Sequence, residues 1–147
     1  VDSSRIAVAG FSYGAYRAWN IAAEEKRLKL CIASHWMTTL AQNRYNDSWL
    51  CMYREGLYPL SYAEFAAHPS TYSTLRFAEI AAQIAPRPFL LQYGAQDKLF
   101  PVNAVDSCVQ YIESMHHGCF KHERYECGHV FTYGHLLNWL IFLQKQL

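Results

Sequence analysis

Strand-like and helix-like patterns of hydrophobic residues alternate along the chain. Four short segments predict strands, at residues 5–9, 28–33, 89–93 and 120–125, and the apolar run of the first is typical of a buried parallel strand. Apolar residues at helical spacing predict helices over residues 14–25, 77–84, 103–116 and 131–147. This alternation predicts an α/β fold in which helices cover both faces of a doubly wound, mostly parallel sheet in three layers.

Residues 35–85 break the alternation between the second and third strands. The segment is rich in aromatic residues, has turn signals and contains no clean strand. We interpret it as an insert over the strand ends and as a candidate lid. Trp36 and Tyr58 are its candidate substrate-binding residues, since aromatic rings here could stack on a sugar or an aryl ester. The same rings could equally form the core of the lid.

The first strand runs directly into a G-x-S-x-G motif formed by Gly10, Ser12 and Gly14. A strand before this motif and a helix after it are what a nucleophile elbow requires, because the sharp turn exposes the serine hydroxyl above the sheet. The glycines allow that turn to be tight. In this arrangement the backbone N–H of Tyr13 points at the developing oxyanion. A glycine-flanked turn with an incidental serine is the alternative, as is a phosphate-binding turn, although such a turn usually has more glycines or a lysine.

A serine nucleophile needs a base and an acid, and two further strand ends supply candidates. His129 follows the fourth strand and is the candidate base, with His35 as the alternative. Asp97 follows the third strand and is the candidate acid, with Asp106 as the alternative. Carboxyl ends of parallel strands meet at one edge of a sheet, so Ser12, Asp97 and His129 are predicted to converge. Their order along the chain is that of the α/β-hydrolase triad.

With these motifs the chain resembles the carboxyl-terminal part of an α/β-hydrolase, near the bacterial acetyl xylan esterases and dienelactone-hydrolase-like proteins. The segments that carry the resemblance are residues 5–19, 85–88, 94–101 and 128–131. The resemblance implies that residues 1–147 hold the last four strands of such a domain. It also implies that Ser12, Asp97 and His129 act as nucleophile, acid and base on a small-molecule ester. Dienelactone hydrolases proper use a cysteine nucleophile, so a serine here favours esterase chemistry.

The resemblance also implies that the first strands of the domain, and the loop with the second oxyanion-hole donor, lie before Val1. We therefore expect the strand from Arg5 to Ala9 to be left as an open edge through which the chain associates. We expect the isolated chain to be a poor catalyst.

The charge of the chain bears on its binding partners, and its cysteine content bears on its cellular compartment. Thirteen basic and twelve acidic residues give a net charge of +1 without a basic run, which argues against a nucleic-acid or anionic-membrane partner. No apolar stretch is long enough to predict a membrane span. Five cysteines without a C-x-x-C pair are typical of buried thiols in a reducing compartment. The compartment stays open, and this pattern favours the cytoplasm. No cofactor or metal is predicted.

Three alternatives to an ester hydrolase remain. A serine peptidase of the prolyl-oligopeptidase type would share the fold and the triad order. A non-catalytic fragment would act through its sheet edge. A zinc module is the third, although its residues match no paired-ligand spacing. Its candidate ligands are His116, His117, Cys119, His122 and Cys127.

Overall fold

The computed structural model describes residues 2–37, 76–115 and 118–147. The strands are β1 (Ala7–Phe11), β2 (Leu30–Ser34), β3 (Phe89–Gly94) and β4 (Phe120–Tyr125). The helices are α1 (Tyr13–Glu24), α2 (Arg76–Ala82), α3 (Val102–Met115) and α4 (Tyr133–Gln146). Every predicted strand and helix is present, with its ends shifted by at most two residues. Most of the predicted insert, including Tyr58, lies outside the described residues, so its interpretation as a lid stays a prediction.

The four strands form one parallel sheet in the order β1-β2-β3-β4, so their order in space is their order along the chain. In register, Gly10 lies opposite Ala33, and Ser34 lies opposite Gln92. All four carboxyl ends therefore lie at the same edge of the sheet. The predicted doubly wound, mostly parallel sheet is confirmed.

Alternate residues of the central strands face opposite layers, as the two-residue period of a strand requires. Cys31 and Ala33 of β2 face the larger core, which α1, α2 and α3 complete. Leu30 and Ile32 face a smaller cluster with Phe142 of α4. Strand β2 is buried at every position for this reason. The result is a three-layer sandwich, with α1, α2 and α3 on one face of the sheet and α4 on the other.

Arg87 ties the carboxyl end of α1 to the loop before β3. Its guanidinium donates to the carbonyl oxygens of Ala22 at 2.6 Å, Glu25 at 3.0 Å and Leu28 at 3.2 Å. Its Nε also donates to the carbonyl of Ile84 at 3.1 Å. A cation at a helix carboxyl terminus satisfies carbonyls that have no partner within the helix and complements the helix dipole.

Two apolar surfaces of the described residues face solvent. Strand β1 lies at an edge of the sheet, and Ala9 on it is exposed. On α4, the outward side chains of Leu136, Leu137, Leu140 and Ile141 are 39–55% exposed. Both surfaces bear on how the chain associates. Within the described residues, no helix has the length and apolar character to cross a membrane.

Candidate active site

The turn between β1 and α1 holds Ser12 in an unusual backbone conformation. Its φ is 53° and its ψ is −124°, in a region that residues with a side chain seldom occupy. The backbone N–H of Ser12 donates to the Ser34 carbonyl at 2.8 Å, which fixes the turn against the end of β2. The hydroxyl therefore rises above the strand ends. This is the predicted elbow geometry.

The two glycines of the motif are not equivalent. A Cβ at Gly10 would overlap the carbonyl of Gly14 and come within 2.7 Å of the Ala15 nitrogen. A Cβ at Gly14 would meet no atom within 4 Å in the described part of the chain. The sequence-based expectation that both glycines make the tight turn possible therefore applies sterically to Gly10 and not to Gly14.

This difference gives a matched test of the turn. We expect Gly10→Ala to lower the free energy of unfolding by about 3 kcal/mol or more, because backbone atoms must move to admit the methyl group. Gly14→Ala should be neutral or stabilising by up to about 1 kcal/mol, since alanine is the better helix former. Urea unfolding of the two variants measures both values. Equal destabilisation would contradict this account of the turn.

Ser12, His129 and Asp97 form a continuous hydrogen-bonded series. His129 Nε2 lies 2.8 Å from Ser12 Oγ, and His129 Nδ1 lies 2.7 Å from Asp97 Oδ2. Ser12 is at the elbow, Asp97 follows β3 and His129 follows β4. The three residues selected from the sequence are therefore brought together. A histidine between a hydroxyl and a carboxylate can take the hydroxyl proton while the carboxylate fixes its tautomer.

Asp97 is buried, and hydrogen bonds hold it in its charged form. Its Oδ1 accepts from the backbone N–H groups of Leu99 at 2.8 Å and Phe100 at 3.1 Å. Its Oδ2 faces the ring nitrogens of His129 and His35. Burial alone would raise the pKa of Asp97, but the hydrogen bonds from the two histidines outweigh it and hold the pKa far below its usual range. Asp97 therefore stays a carboxylate at neutral pH.

Neither Asp106, the alternative acid, nor His35, the alternative base, contacts the Ser12–His129 pair in the way that a triad member would. Asp106 accepts a hydrogen bond from the Tyr93 hydroxyl at 2.9 Å and lies 3.8 Å from Arg124, away from the Ser12–His129 pair. His35 does not contact Ser12. Its Nδ1 lies 3.1 Å from Asp97 Oδ2, the same oxygen that His129 Nδ1 contacts.

A third histidine, which lies within the last helix, also belongs to this group. His135 Nε2 lies 3.1 Å from His35 Nε2, and the side chain is fully buried. Its Nδ1 accepts a hydrogen bond from the backbone N–H of Thr132, the residue before α4, at 3.1 Å. Burial and the neighbouring His35 ring lower the pKa of His135 to about 4.

The low pKa of His135 predicts a pH dependence of stability. The titratable groups near the ring are His35, Glu123, Tyr125 and Cys127, and Glu123 is the one that opposes the lowering of the His135 pKa. In the unfolded chain His135 binds a proton below pH 6.5, whereas in the folded chain it does so only near pH 4. Its contribution to the free energy of unfolding is therefore present above pH 6.5 and is lost as the pH falls toward 4. We expect the free energy of unfolding to drop by about 2 kcal/mol between pH 6.5 and 4.5, as measured by urea titrations. A smaller drop in His135→Gln would assign it to this residue, and constant wild-type stability would contradict it.

Aromatic rings surround the Ser12–His129 pair. The rings of Phe11 and Phe100 lie 5.1 Å and 5.3 Å from the His129 ring, and Phe131 lies 5.5 Å from Phe11. Sequence reasoning missed Phe11, although it occupies a variable position of the G-x-S-x-G motif. These rings give the mouth of the site an apolar wall.

The other predicted site residues are placed less directly. Trp36 is 2% exposed and packs 4.8 Å from the Phe100 ring, which makes it part of the core behind the site. Its role in substrate binding stays a prediction, as does that of Tyr58. Tyr13 is the first residue of α1, so its backbone N–H lies at the amino end of the helix dipole, beside Ser12.

The zinc-module set does not form a cluster among the described residues. His122 lies 3.1 Å from Glu113 on the surface, and His116 and His117 lie outside those residues. Cys127 instead lies near His35 and His135, with ligand atoms close enough to share an ion.

Fold and site together define an α/β-hydrolase fold, and comparison with known proteins agrees. The chain is 30% identical over 142 residues to the putative hydrolase YtaP of Bacillus subtilis (strain 168), a match that covers 90% of this chain and 42% of YtaP. The chain thus spans less than half the length of this curated relative. No family model matches the sequence.

Solved structures give the same fold. An acetyl xylan esterase from Paenibacillus sp. R4 matches with a TM-score of 0.73 and 22% identity, covering all of this chain and 47% of the esterase. The α/β hydrolase GrgF from Penicillium sp. sh18 matches with a TM-score of 0.65 and 17% identity, covering 99% of this chain and 65% of GrgF. The chain therefore carries part of an α/β-hydrolase fold.

Proposed function

We propose that this chain carries the nucleophile, base and acid of a serine hydrolase that cleaves carboxylic esters through an acyl-enzyme. One observation carries the proposal: Ser12, held at a strained elbow, is linked through His129 to a buried carboxylate by hydrogen bonds of 2.8 Å and 2.7 Å. A strained backbone at a hydroxyl that faces a base is typical of a functional site.

The geometry supports the following sequence of steps. Ser12 Oγ attacks the ester carbonyl carbon while His129 Nε2 takes the hydroxyl proton, and Asp97 stabilises the imidazolium that forms. The tetrahedral oxyanion lies at the backbone N–H of Tyr13, at the amino end of α1. His129 then gives its proton to the leaving alcohol as the acyl–oxygen bond breaks. Water attacks the acyl-enzyme by the same route, which releases the acid and restores Ser12.

A serine peptidase of the prolyl-oligopeptidase type would use the same steps. The name of one matched structure, an acetyl xylan esterase, favours ester cleavage. The apolar wall of Phe11, Phe100 and Phe131 offers no carboxylate for a substrate amine in the described part of the chain. An ester is also the easier substrate, because its leaving alkoxide needs less help than an amine.

The experiment uses the full-length protein that carries this chain. Wild type should react with a fluorophosphonate probe and should turn over an aryl acetate much faster than the matched peptidyl aryl amide. Labelling with preferred amide cleavage would favour the peptidase. If the wild-type protein showed no labelling and no turnover, the proposal would be removed and a non-catalytic fragment would be favoured.

We also propose that β1 and the outer face of α4 are covered in the working protein. An open parallel strand presents unpaired backbone groups, and leucine side chains about half exposed along one helix are a poor surface for water. The 147 residues alone should therefore associate through the β1 edge. Static light scattering should show dimers or larger species for the chain alone and a discrete species for the full-length protein. A monodisperse 147-residue monomer would contradict this proposal.

A further inference from the structure

Two histidines share one oxygen of the proposed catalytic acid. His129 Nδ1 lies 2.7 Å and His35 Nδ1 lies 3.1 Å from Asp97 Oδ2. His35 follows the last residue of β2, is fully buried, and has a φ of 57° that residues other than glycine seldom adopt. A Cβ at Gly94 would come within 3.0 Å of the His35 ring, so the histidine packs tightly against the end of β3. A buried ring in a costly backbone conformation behind the acid calls for an explanation.

One backbone amide settles the protonation of the whole group. The N–H of Thr132 can only donate, so His135 Nδ1 accepts and the ring proton of His135 is on Nε2. His135 Nε2–H then donates to His35 Nε2, which lies 3.1 Å away. His35 must therefore carry its own proton on Nδ1, and it donates that proton to Asp97 Oδ2. Each ring nitrogen of the pair thus has one definite role.

The buried end of this series is itself fixed. The Tyr125 ring stacks on the His135 ring with centroids 3.9 Å apart. The Thr132 hydroxyl lies 2.7 Å from His135 Nδ1 and adds a second contact at the same nitrogen. Thr132 and His135 also form the capping arrangement of α4, so the start of this helix determines the position of the ring.

We propose that His35 and His135 are positioning residues that hold Asp97 through a histidine–histidine relay starting at the Thr132 amide. This inference rests on the proposed function and extends it to residues that do not touch the substrate. Two amides fill Asp97 Oδ1 and two imidazoles fill Oδ2, so the carboxylate cannot rotate away from His129. The His35 donor also stabilises the negative charge on Asp97, so the proton taken from Ser12 stays on His129.

A metal site is the competing interpretation of the same histidines. Cys127, His35 and His135 offer ligand atoms close enough to hold one ion. A metal at His135 Nε2 would need the lone pair of that nitrogen and would put the ring proton on Nδ1. The Thr132 amide already donates to Nδ1, so the two arrangements exclude one another. Burial and the charge of Asp97 also raise the pKa of the Cys127 thiol, which opposes the thiolate that a metal needs.

The first test does not depend on activity. Long-range proton–nitrogen NMR of the full-length protein, with histidine ring nitrogens labelled, reports which nitrogen of each ring is protonated. We expect a neutral His35 protonated on Nδ1 and a neutral His135 protonated on Nε2 at pH 7. Assignment comes from the loss of each signal set in His35→Asn and His135→Gln. A His135 protonated on Nδ1, or a spectrum that changes on adding Zn²⁺ alone, would overturn the relay in favour of the metal.

The second test separates positioning from mere packing. His35→Leu removes the donor, whereas His35→Asn places an amide N–H near the Nδ1 position and tolerates a positive φ. We expect the leucine variant to lose about 10–100-fold in kcat with little change in KM, the size of effect seen when groups that orient a functional side chain are removed. The asparagine variant should recover most of the loss, and the surface variant His122→Asn should equal wild type.

The outcomes distinguish this inference from the proposed function. A folded His35→Leu with wild-type kcat, or an asparagine variant as slow as the leucine variant, would overturn the positioning role while leaving the triad intact. Wild-type protein without ester turnover or fluorophosphonate labelling would remove the proposed function, and the NMR measurement would still decide whether the relay exists.

Discussion

Full-length protein carrying Ser12→Ala should neither turn over an aryl acetate nor form a covalent adduct with a fluorophosphonate. The expected loss in kcat is about 10⁶-fold, the size found when the nucleophile of a triad is removed and only binding and oxyanion stabilisation remain. The side chain is small and only partly buried, so the unfolding curve should stay close to that of wild type. Ester turnover is followed by release of the aryl alcohol, and adduct formation by intact-protein mass spectrometry.

The matched control is Ser107→Ala on α3. Its hydroxyl is exposed and donates to the Asn103 carbonyl within the helix, so this variant should be labelled and should turn over ester at the wild-type rate. An adduct that persists in Ser12→Ala, together with unchanged turnover, would mean that another residue is the nucleophile. The elbow would then be a structural turn.

Asp97→Asn should lower the acylation rate by about 10⁴-fold. An asparagine at this position can offer its N–H to His129, which places the ring proton on the nitrogen that must accept from Ser12. The asparagine also replaces the carboxylate oxygen that faces His35 by an amide N–H or by an uncharged oxygen, which is a weaker acceptor. Pre-steady-state release of the aryl alcohol measures acylation directly, so the effect is separated from the later hydrolysis step.

Asp106→Asn is the control for this substitution. It removes the charge beside Tyr93 and Arg124 and leaves the Asp97 contacts unchanged, so acylation should stay within about two-fold of wild type. A slow Asp106→Asn with a fast Asp97→Asn would show that the acid had been assigned to the wrong carboxylate.

The sequence predicted the sheet and the meeting of Ser12, Asp97 and His129 for one physical reason. In a parallel sheet all carboxyl ends lie at one edge, so residues that follow different strands converge there without knowledge of the side chains between them. The apolar runs and the G-x-S-x-G motif that follows the first of them are local signals, which a single sequence contains. This is why the elements were predicted to within two residues at their ends.

The relay was not predictable in the same way. His35 was selected as an alternative base because it follows a strand, but whether its ring faces Ser12 or Asp97 depends on its positive φ and on packing against Gly94. His135 lies inside a helical pattern, where its burial beside His35 results from how α4 docks on the sheet. The direction of the His35 ring and the burial of His135 both depend on tertiary packing, which no local pattern of the sequence indicates.

The sheet order has a consequence for how the site assembles during folding. Neighbouring strands are also consecutive in the chain, so each pairing closes one loop, and among these loops the connection of residues 35–88 is the longest. Closing it costs about 1 kcal/mol more in chain entropy than closing residues 12–29 between β1 and β2. Ser12 lies before this connection, and Asp97 and His129 lie after it. The elbow with its strand pair and the acid with its base thus form two locally assembled halves, and a single long-range closure joins the nucleophile to the groups that activate it.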